Sequence, residues 1–282
     1  MYLRIIPRLD IKGPNLVKGI HLEGLRILGK PEEYAKHYFE TGADELLYMD
    51  VVASLYERNS LHEIITRTAK EIFIPLAVGG GIRSIEDMQS IFRAGADKVS
   101  INTAAVRNPE LVSEAANLFG SANLVVSIEA IKQGDAKYYA FTDNGREKTG
   151  LEVVEWAKRV ESLGAGEIII TSVDREGTGE GFDLELIKKV ASVVSVPVIA
   201  HGGAGKLKDI QDAGDINGVT GISLASMLHY KTLEKVSKKI KLDEGSSNFI
   251  KSGLSFNNVK KVGIQEIKNF LIKNEISCRV PS

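Results

Sequence analysis

A ten-residue pattern recurs at about half the length of the chain, and this repeat restricts the possible folds more than any other feature. Residues 73–82, FIPLAVGGGI, and residues 196–205, VPVIAHGGAG, each join a short apolar run to glycines, and Pro75 and Pro197 lie 122 residues apart. Three more pairs follow in chain order: Gly42-Ala43-Asp44-Glu45 with Gly164-Ala165-Gly166-Glu167 (122), Asn102-Thr103 with Ala225-Ser226 (123), and Asp10 with Glu129 (119). Four ordered pairs at nearly the same offset imply two halves built on one plan. In both copies a buried strand runs straight into residues without side chains. Consecutive glycine N–H groups there can converge on a phosphate, and a helix starting at Ser84 to Glu86 would add the positive end of its dipole.

Short apolar runs ending in polar or glycine-rich turns mark strands near Arg4–Leu9, Glu45–Val51, Phe73–Val78, Lys98–Ile101, Leu124–Ile128, Glu167–Thr171, Val196–Ala200 and Gly221–Ala225. Amphipathic helical segments follow each of them. Eight βα units in two similar halves predict an α/β fold, a (β/α)8 TIM barrel built from two half-barrels and occupying residues 1–282 as one domain. An open doubly wound sheet needs neither eight regular units nor a half-length repeat. The net charge of −1 gives no bias toward nucleic acid or a membrane surface. With a single cysteine, Cys278, no intramolecular disulfide forms, and a strand pattern begins at Leu3 without a signal peptide, so a cytoplasmic setting is expected. His21, His37, His62, His201 and His229 show no mutual ligand spacing, so no metal and no cofactor is expected.

In such a barrel chemistry belongs at the C-terminal strand ends. Those ends carry Asp10, Asp50, the Gly79 to Gly81 cluster, Asn102-Thr103, Glu129, Thr171-Ser172 with Asp174, Gly202-Gly203 and Ala225-Ser226. Singly, each is better read as a turn residue or helix cap, and it is the set together that reverses this. Together they form two candidate phosphate cradles: Gly80, Gly81, Asn102 and Thr103 in one half, and Asp174, Gly177, Gly202, Gly203, Ala225 and Ser226 in the other. A substrate phosphorylated at both ends fits that pair. Asp10 and Glu129 stand at matching places on strands one and five, opposite each other in an eight-stranded ring, as general acid and general base. Lys18 in the first loop reads either as a substrate-facing cation over the mouth or as a solvated loop lysine. At the opposite rim Arg4, Glu45, Lys98 and Glu167 alternate in sign, and charges entering a barrel from below should pair, as a plug or as a gate.

The segments RIIPRLDIKG (4–13), LVKG (16–19), ADELLYMD (43–50), FIPLAVGGGIRS (73–84), AGADKVSINTAAV (94–106), GAGEIIITSVDREGTGEGFDLEL (164–186) and VPVIAHGGAGK (196–206) together resemble the cyclase subunit of imidazole glycerol phosphate synthase, a histidine-biosynthesis barrel. The resemblance covers nearly the whole chain. It implies a glutaminase partner on the N-terminal rim, whose ammonia passes a four-residue charged gate matched by Arg4, Glu45, Lys98 and Glu167. The ammonia then converts a bisphosphorylated ribulosyl-formimino aminoimidazole carboxamide nucleotide into imidazole glycerol phosphate and the released carboxamide nucleotide. Asp10 matches the first of the two catalytic aspartates, and both phosphate cradles match the family's phosphate-binding rim.

Three positions depart from the family pattern. Glu129 stands where the second aspartate is found, Arg8 where a cysteine is usual, and His201 where a serine precedes the strand-seven glycines. The longer Glu129 side chain displaces its carboxylate by more than an ångström, a shift worth roughly 100-fold in rate. The His201 imidazole would either pair with an anion when protonated or narrow the site. Residues 231–262 read as an insertion after strand eight, Lys-rich and then rich in Gly, Ser and Asn, and residues 263–280 as the final helix and tail. These departures leave an alternative, a cyclase-like paralogue that conducts ammonia to an N-acetyl sugar amidotransferase of surface-polysaccharide synthesis.

Overall fold

A computed structural model describes residues 2–51, 61–236 and 258–280. Eight parallel strands close into a ring in the order β1 (Arg4–Lys12), β4 (Leu46–Asp50), β5 (Leu76–Gly79), β6 (Lys98–Ile101), β7 (Leu124–Lys132), β10 (Glu167–Ser172), β11 (Val198–His201) and β12 (Val219–Leu224), with β12 returning to β1. Helices alternate with these strands along the chain: α1 (Pro31–Glu40), α2 (His62–Ala69), α3 (Ile85–Ala94), α4 (Thr103–Arg107), α5 (Glu110–Phe119), α6 (Val153–Ser162), α7 (Leu184–Ala191), α8 (Leu207–Gly214), α9 (Ser226–Val236) and α10 (Ile264–Lys273). This is the (β/α)8 barrel read from the repeat. The predicted helix start is also present: Ser84 caps α3, its Oγ accepting from the Asp87 N–H at 3.3 Å.

Two hairpins were not anticipated. β1 runs on into antiparallel β2 (Asn15–Ile20) and β3 (Glu23–Gly29), and β7 runs on into antiparallel β8 (Tyr138–Thr142) and β9 (Glu147–Glu152). Both nine-residue strands thus open a half-barrel and carry a hairpin over the C-terminal rim. The duplication extends to single backbone contacts. Gly80 has φ +93° and Gly202 φ +94°; a Cβ on the first would sit 2.2 Å from the Asp50 carbonyl oxygen, on the second 2.7 Å from that of Ser172. Both partners, like both glycines, lie 122 residues apart, so each cradle admits only glycine at this place.

Alternation along the strands sorts residues between two cores. Ile5, Leu9 and Ile11 of β1 join the large layer under the helices, whereas Ile6 joins Leu47, Ala77, Val125, Ile169 and Ile199 in a small cluster inside the ring. Arg4, Arg8 and Asp10 share the parity of Ile6, as Glu129 shares that of Val125 and His201 that of Ile199. The lumen is therefore apolar at mid-height and polar at both ends.

At the lower end Arg4, Glu45, Lys98 and Glu167 form a closed ring. Arg4 Nη1 donates to Glu45 at 2.8 Å, Lys98 Nζ reaches both Glu45 and Glu167 at 3.0 Å, and Arg4 Nη2 pairs with Glu167. Each charge has two opposite neighbours, which offsets the cost of burying it. The tail passes close by. Lys268 of α10 and Arg279 both reach Asp44, at 2.7 and 2.9 Å, and Leu3 N–H donates to Ser277 O at 2.8 Å. Residues 237–257, the middle of the expected insertion, lie outside the described residues; α9 extends to Val236, and past Asn258 the Lys260 N–H donates to Gly205 O at 2.7 Å.

Several strand limits differ from the sequence reading. β5 begins at Leu76, and Phe73, taken as its first residue, is 83% exposed and packs its ring against Phe39. An apolar run marks hydrophobicity, whereas the ladder starts where backbone pairing with β4 begins. No helix among the described residues is long and apolar enough to cross a membrane.

Candidate active site

β1 and β7 are separated by three strands on either side of the ring, so Asp10 and Glu129 face each other across the mouth. Both are buried. Glu129 Oε2 accepts from the Gly145 N–H at 2.8 Å, a bond supplied by the β8–β9 turn. Burial pushes the Glu129 carboxyl up to about 7, with Arg8 and the Gly145 bond opposing and Asp10 and Asp143 adding to the rise. A carboxyl titrating there can hold a proton at neutral pH and release it to a leaving group.

Arg8 was read only as a departure from a pattern, and the structure gives it a contact. Its Nε donates to Asp10 Oδ1 at 2.8 Å, and both side chains are almost wholly buried. Two residues apart on one strand they share a face, a spacing that makes the pair legible in RLD once the strand is placed. Lys18 is not solvated. β2 turns it inward, buried, to an ion pair with Glu176, and its Nζ also donates to Gly19 O at 2.9 Å. Burial alone would raise the Glu176 carboxyl, but Lys18 and the Leu22 N–H more than offset this and hold it below the usual range. Glu176 was missed, although it lies in the DREGTGEG run between two residues that were singled out.

The residues named for the two cradles line two cavities of unequal size. Asp50, Gly80, Gly81, Asn102 and Thr103 line a cavity of about 280 Å³ that also reaches Glu129, and Ser100, Arg107 and Asn144 contribute to its wall. Asn102 Nδ2 donates to Phe141 O at 3.1 Å and Thr103 Oγ1 accepts from Asp143 N–H at 3.3 Å, so the second hairpin braces this side. Gly177, Gly202, Gly203, Ala225 and Ser226 line a second cavity of only about 20 Å³, together with Glu176, His201 and Ser223. Asp174 is not among them; it is exposed and accepts from the Lys132 N–H at 2.9 Å. Thr171 lies between the two, buried on β10.

Buried polar side-chain atoms ordinarily find a partner. Among the described residues nine such atoms have none; three are Glu32 Oε2, Trp156 Nε1 and His229 Nε2, and the other six belong to strand ends at this rim: Ser100 Oγ, Asn102 Oδ1, Thr171 Oγ1, Ser172 Oγ, His201 Nε2 and Ser223 Oγ. Such a set suits a polar ligand spanning both halves. His201 does not act as a cation here, because burial first and Arg8 second push its imidazole down to about 3. Among the described residues no group of three or more His, Cys, Asp or Glu side chains could hold a metal ion.

The structure is thus a duplicated barrel with a glycine-lined cavity in each half and two facing carboxylates at the same rim. The model of the family described as "Histidine biosynthesis protein" matches residues 4–234. Three curated relatives each carry the name imidazole glycerol phosphate synthase subunit HisF. The protein from Legionella pneumophila is 60% identical over 207 residues, 73% of this chain and 98% of the relative. Those from Alkaliphilus metalliredigens and Lactococcus lactis are each 46% identical, over 242 residues (86% of this chain, 96% of the relative) and 259 residues (92% and 97%). The chain belongs to the HisF family, the cyclase subunits of imidazole glycerol phosphate synthase.

Proposed function

We propose that this chain is the cyclase of histidine biosynthesis, a carbon–nitrogen lyase that uses ammonia to form imidazole glycerol phosphate and release the aminoimidazole carboxamide nucleotide. Family membership carries the activity, and the identity to HisF proteins favours it over the ammonia-conduit paralogue. The observation that carries the residue roles is the placement of Asp10 and Glu129 across one mouth, between two glycine cradles. In this reading the cradles hold the two phosphates of the ribulosyl-formimino nucleotide. Glu129, holding a proton near neutral pH, is the acid, and Asp10 is the base that relays protons from the attacking nitrogen. Ammonia comes from a glutaminase subunit docked on the face below the ring of Arg4, Glu45, Lys98 and Glu167. Tyr2, Phe73 and Val280 are exposed around that face and supply apolar surface for a partner.

The buried ion pair in which Arg8 holds Asp10 is the feature that a test of the cyclase against the paralogue should probe. An assay with the formimino-ribulosyl nucleotide and ammonium salt separates the two readings. Turnover by the wild type that Asp10→Asn abolishes supports the cyclase. Absence of turnover in the wild type, restored by Arg8→Cys with Glu129→Asp, would overturn it.

A further inference from the structure

The end of β11 sets His201 in the wall of the smaller cradle, beside Gly202, Gly203 and Ser223. Its Nδ1 lies 3.1 Å from the Ser223 carbonyl oxygen. A carbonyl offers only lone pairs, so Nδ1 carries the ring proton and Nε2 is left as a bare acceptor. Nε2 is buried and has no partner within the protein. Gaining a second proton is strongly disfavoured in this setting. The ring therefore accepts a hydrogen bond on that side and does not donate one.

The rest of the cradle favours an anion. The 11-residue helix α9 begins at Ser226, and the Gly202 and Gly203 backbone turns against it with positive φ. A fully deprotonated oxygen placed against Nε2 would oppose lone pair to lone pair. An oxygen that keeps its hydrogen would bond to it. A phosphate group with a second ionisation near pH 6 carries that hydrogen as its monoanion.

We propose that His201 makes the smaller cradle selective for a protonated phosphate group, Nε2 accepting the P–OH hydrogen while the glycine loop and α9 hold the remaining oxygens. This rests on the cradle assignment of the proposed function. Among the described residues, Arg8 and Asp10 of β1, Lys18 of β2, Glu176 after β10, Glu129 of β7, His229 of α9 and Arg175 beside Gly203 are charged or titratable groups around this end of the lumen. Since Glu129 titrates near neutrality, the test holds pH fixed.

At about pH 5.5 inorganic phosphate is mainly the hydrogen-bearing monoanion, whereas sulfate has the same shape and no hydrogen. Each ion is titrated into isotope-labelled protein while the backbone amide resonances of Gly202 and Gly203 are followed, with Gly80 and Gly81 reporting the larger cradle. Phosphate is expected to shift Gly202 and Gly203 at roughly tenfold lower concentration than sulfate, the worth of one hydrogen bond to a charged group. Gly80 and Gly81 should show no such preference. His201→Ser should abolish the preference, and His201→Asn, whose amide can donate, should reverse it. Equal response to both ions in the wild type, or a preference surviving either substitution, overturns the proposal. If Gly202 and Gly203 respond to neither ion, the proposal and the cradle assignment beneath it both fail.

Discussion

The Arg8, Asp10 and Glu129 side chains decide how the mouth of this barrel behaves. Glu129 in the folded chain keeps its proton up to about 7, against 4.5 as its ordinary value. The folded state therefore binds more protons than the unfolded one between those limits, and stability falls as pH rises through that window, then levels off. Glu129→Gln removes this dependence while its side-chain oxygen can still accept from Gly145. Relative to wild type, the variant should gain roughly 3 kcal/mol between about pH 4.5 and 8, measured by urea unfolding at each pH. The same proton governs turnover: kcat with ammonium salt should decline above about pH 7 as Glu129 ionises, a limb that Glu129→Gln lacks. Arg8 makes a separate prediction. Arg8→Met leaves Asp10 buried without its partner and should cost about 3 to 5 kcal/mol, most of it recovered in the double variant with Asp10→Asn. A double variant no more stable than Arg8→Met would show that the ion pair is not what Arg8 contributes.

At the scale of elements, the β2–β3 hairpin meets the second half-barrel at His21, which contacts Val173 O through Nδ1 at 2.8 Å, at Glu23, which pairs with Arg146, and above all at Glu176. Glu176 pairs with Lys18, its Oε2 accepts from Leu22 N–H at 3.0 Å, and its carbonyl accepts from His21 N–H at 3.0 Å. Loss of the carboxylate charge removes the ion pair with Lys18, the buried tie among these contacts, and leaves the backbone bond, the His21–Val173 contact and the Arg146–Glu23 pair. Glu176→Gln should therefore raise amide exchange first in Asn15–Ile20 and Glu23–Gly29, while β10 and β11 stay protected. Uniform loss of protection would instead mark Glu176 as part of the global core. The hairpins also show where sequence reading stops. Barrel strands buried on both faces appear as apolar runs, and the glycines and carboxylates at their ends could be read directly. β9, EKTGLE, has no buried residue, and β2 turns a lysine to the interior, so neither shows the alternation that betrays a strand. The site divides in the same way. Residues next to a strand end were legible; Asn144 and Arg107, delivered by a hairpin turn and a short helix, were not.

For the whole molecule, the closed ring at the lower end and the apolar cluster above it separate the proposed partner face from the mouth. The ring holds two cations and two anions, and its balance depends on every member. Burial raises the Glu45 carboxyl, and Lys98 is the foremost influence holding it down. Lys98→Met leaves Glu45 and Glu167 sharing Arg4 alone, so one of them must bind a proton or repel the other. Above neutrality the proton is scarce and the variant should lose about 3 kcal/mol or more; near pH 5 it is available and the loss should be smaller. Urea unfolding of wild type and Lys98→Met at both pH values measures this. A loss independent of pH would mean that Lys98 acts through packing of its stem rather than through charge. If the ring also admits ammonia, the same variant should lower glutamine-driven turnover in the complex more than turnover on ammonium salt, because ammonia added to solution can reach the mouth without passing the ring.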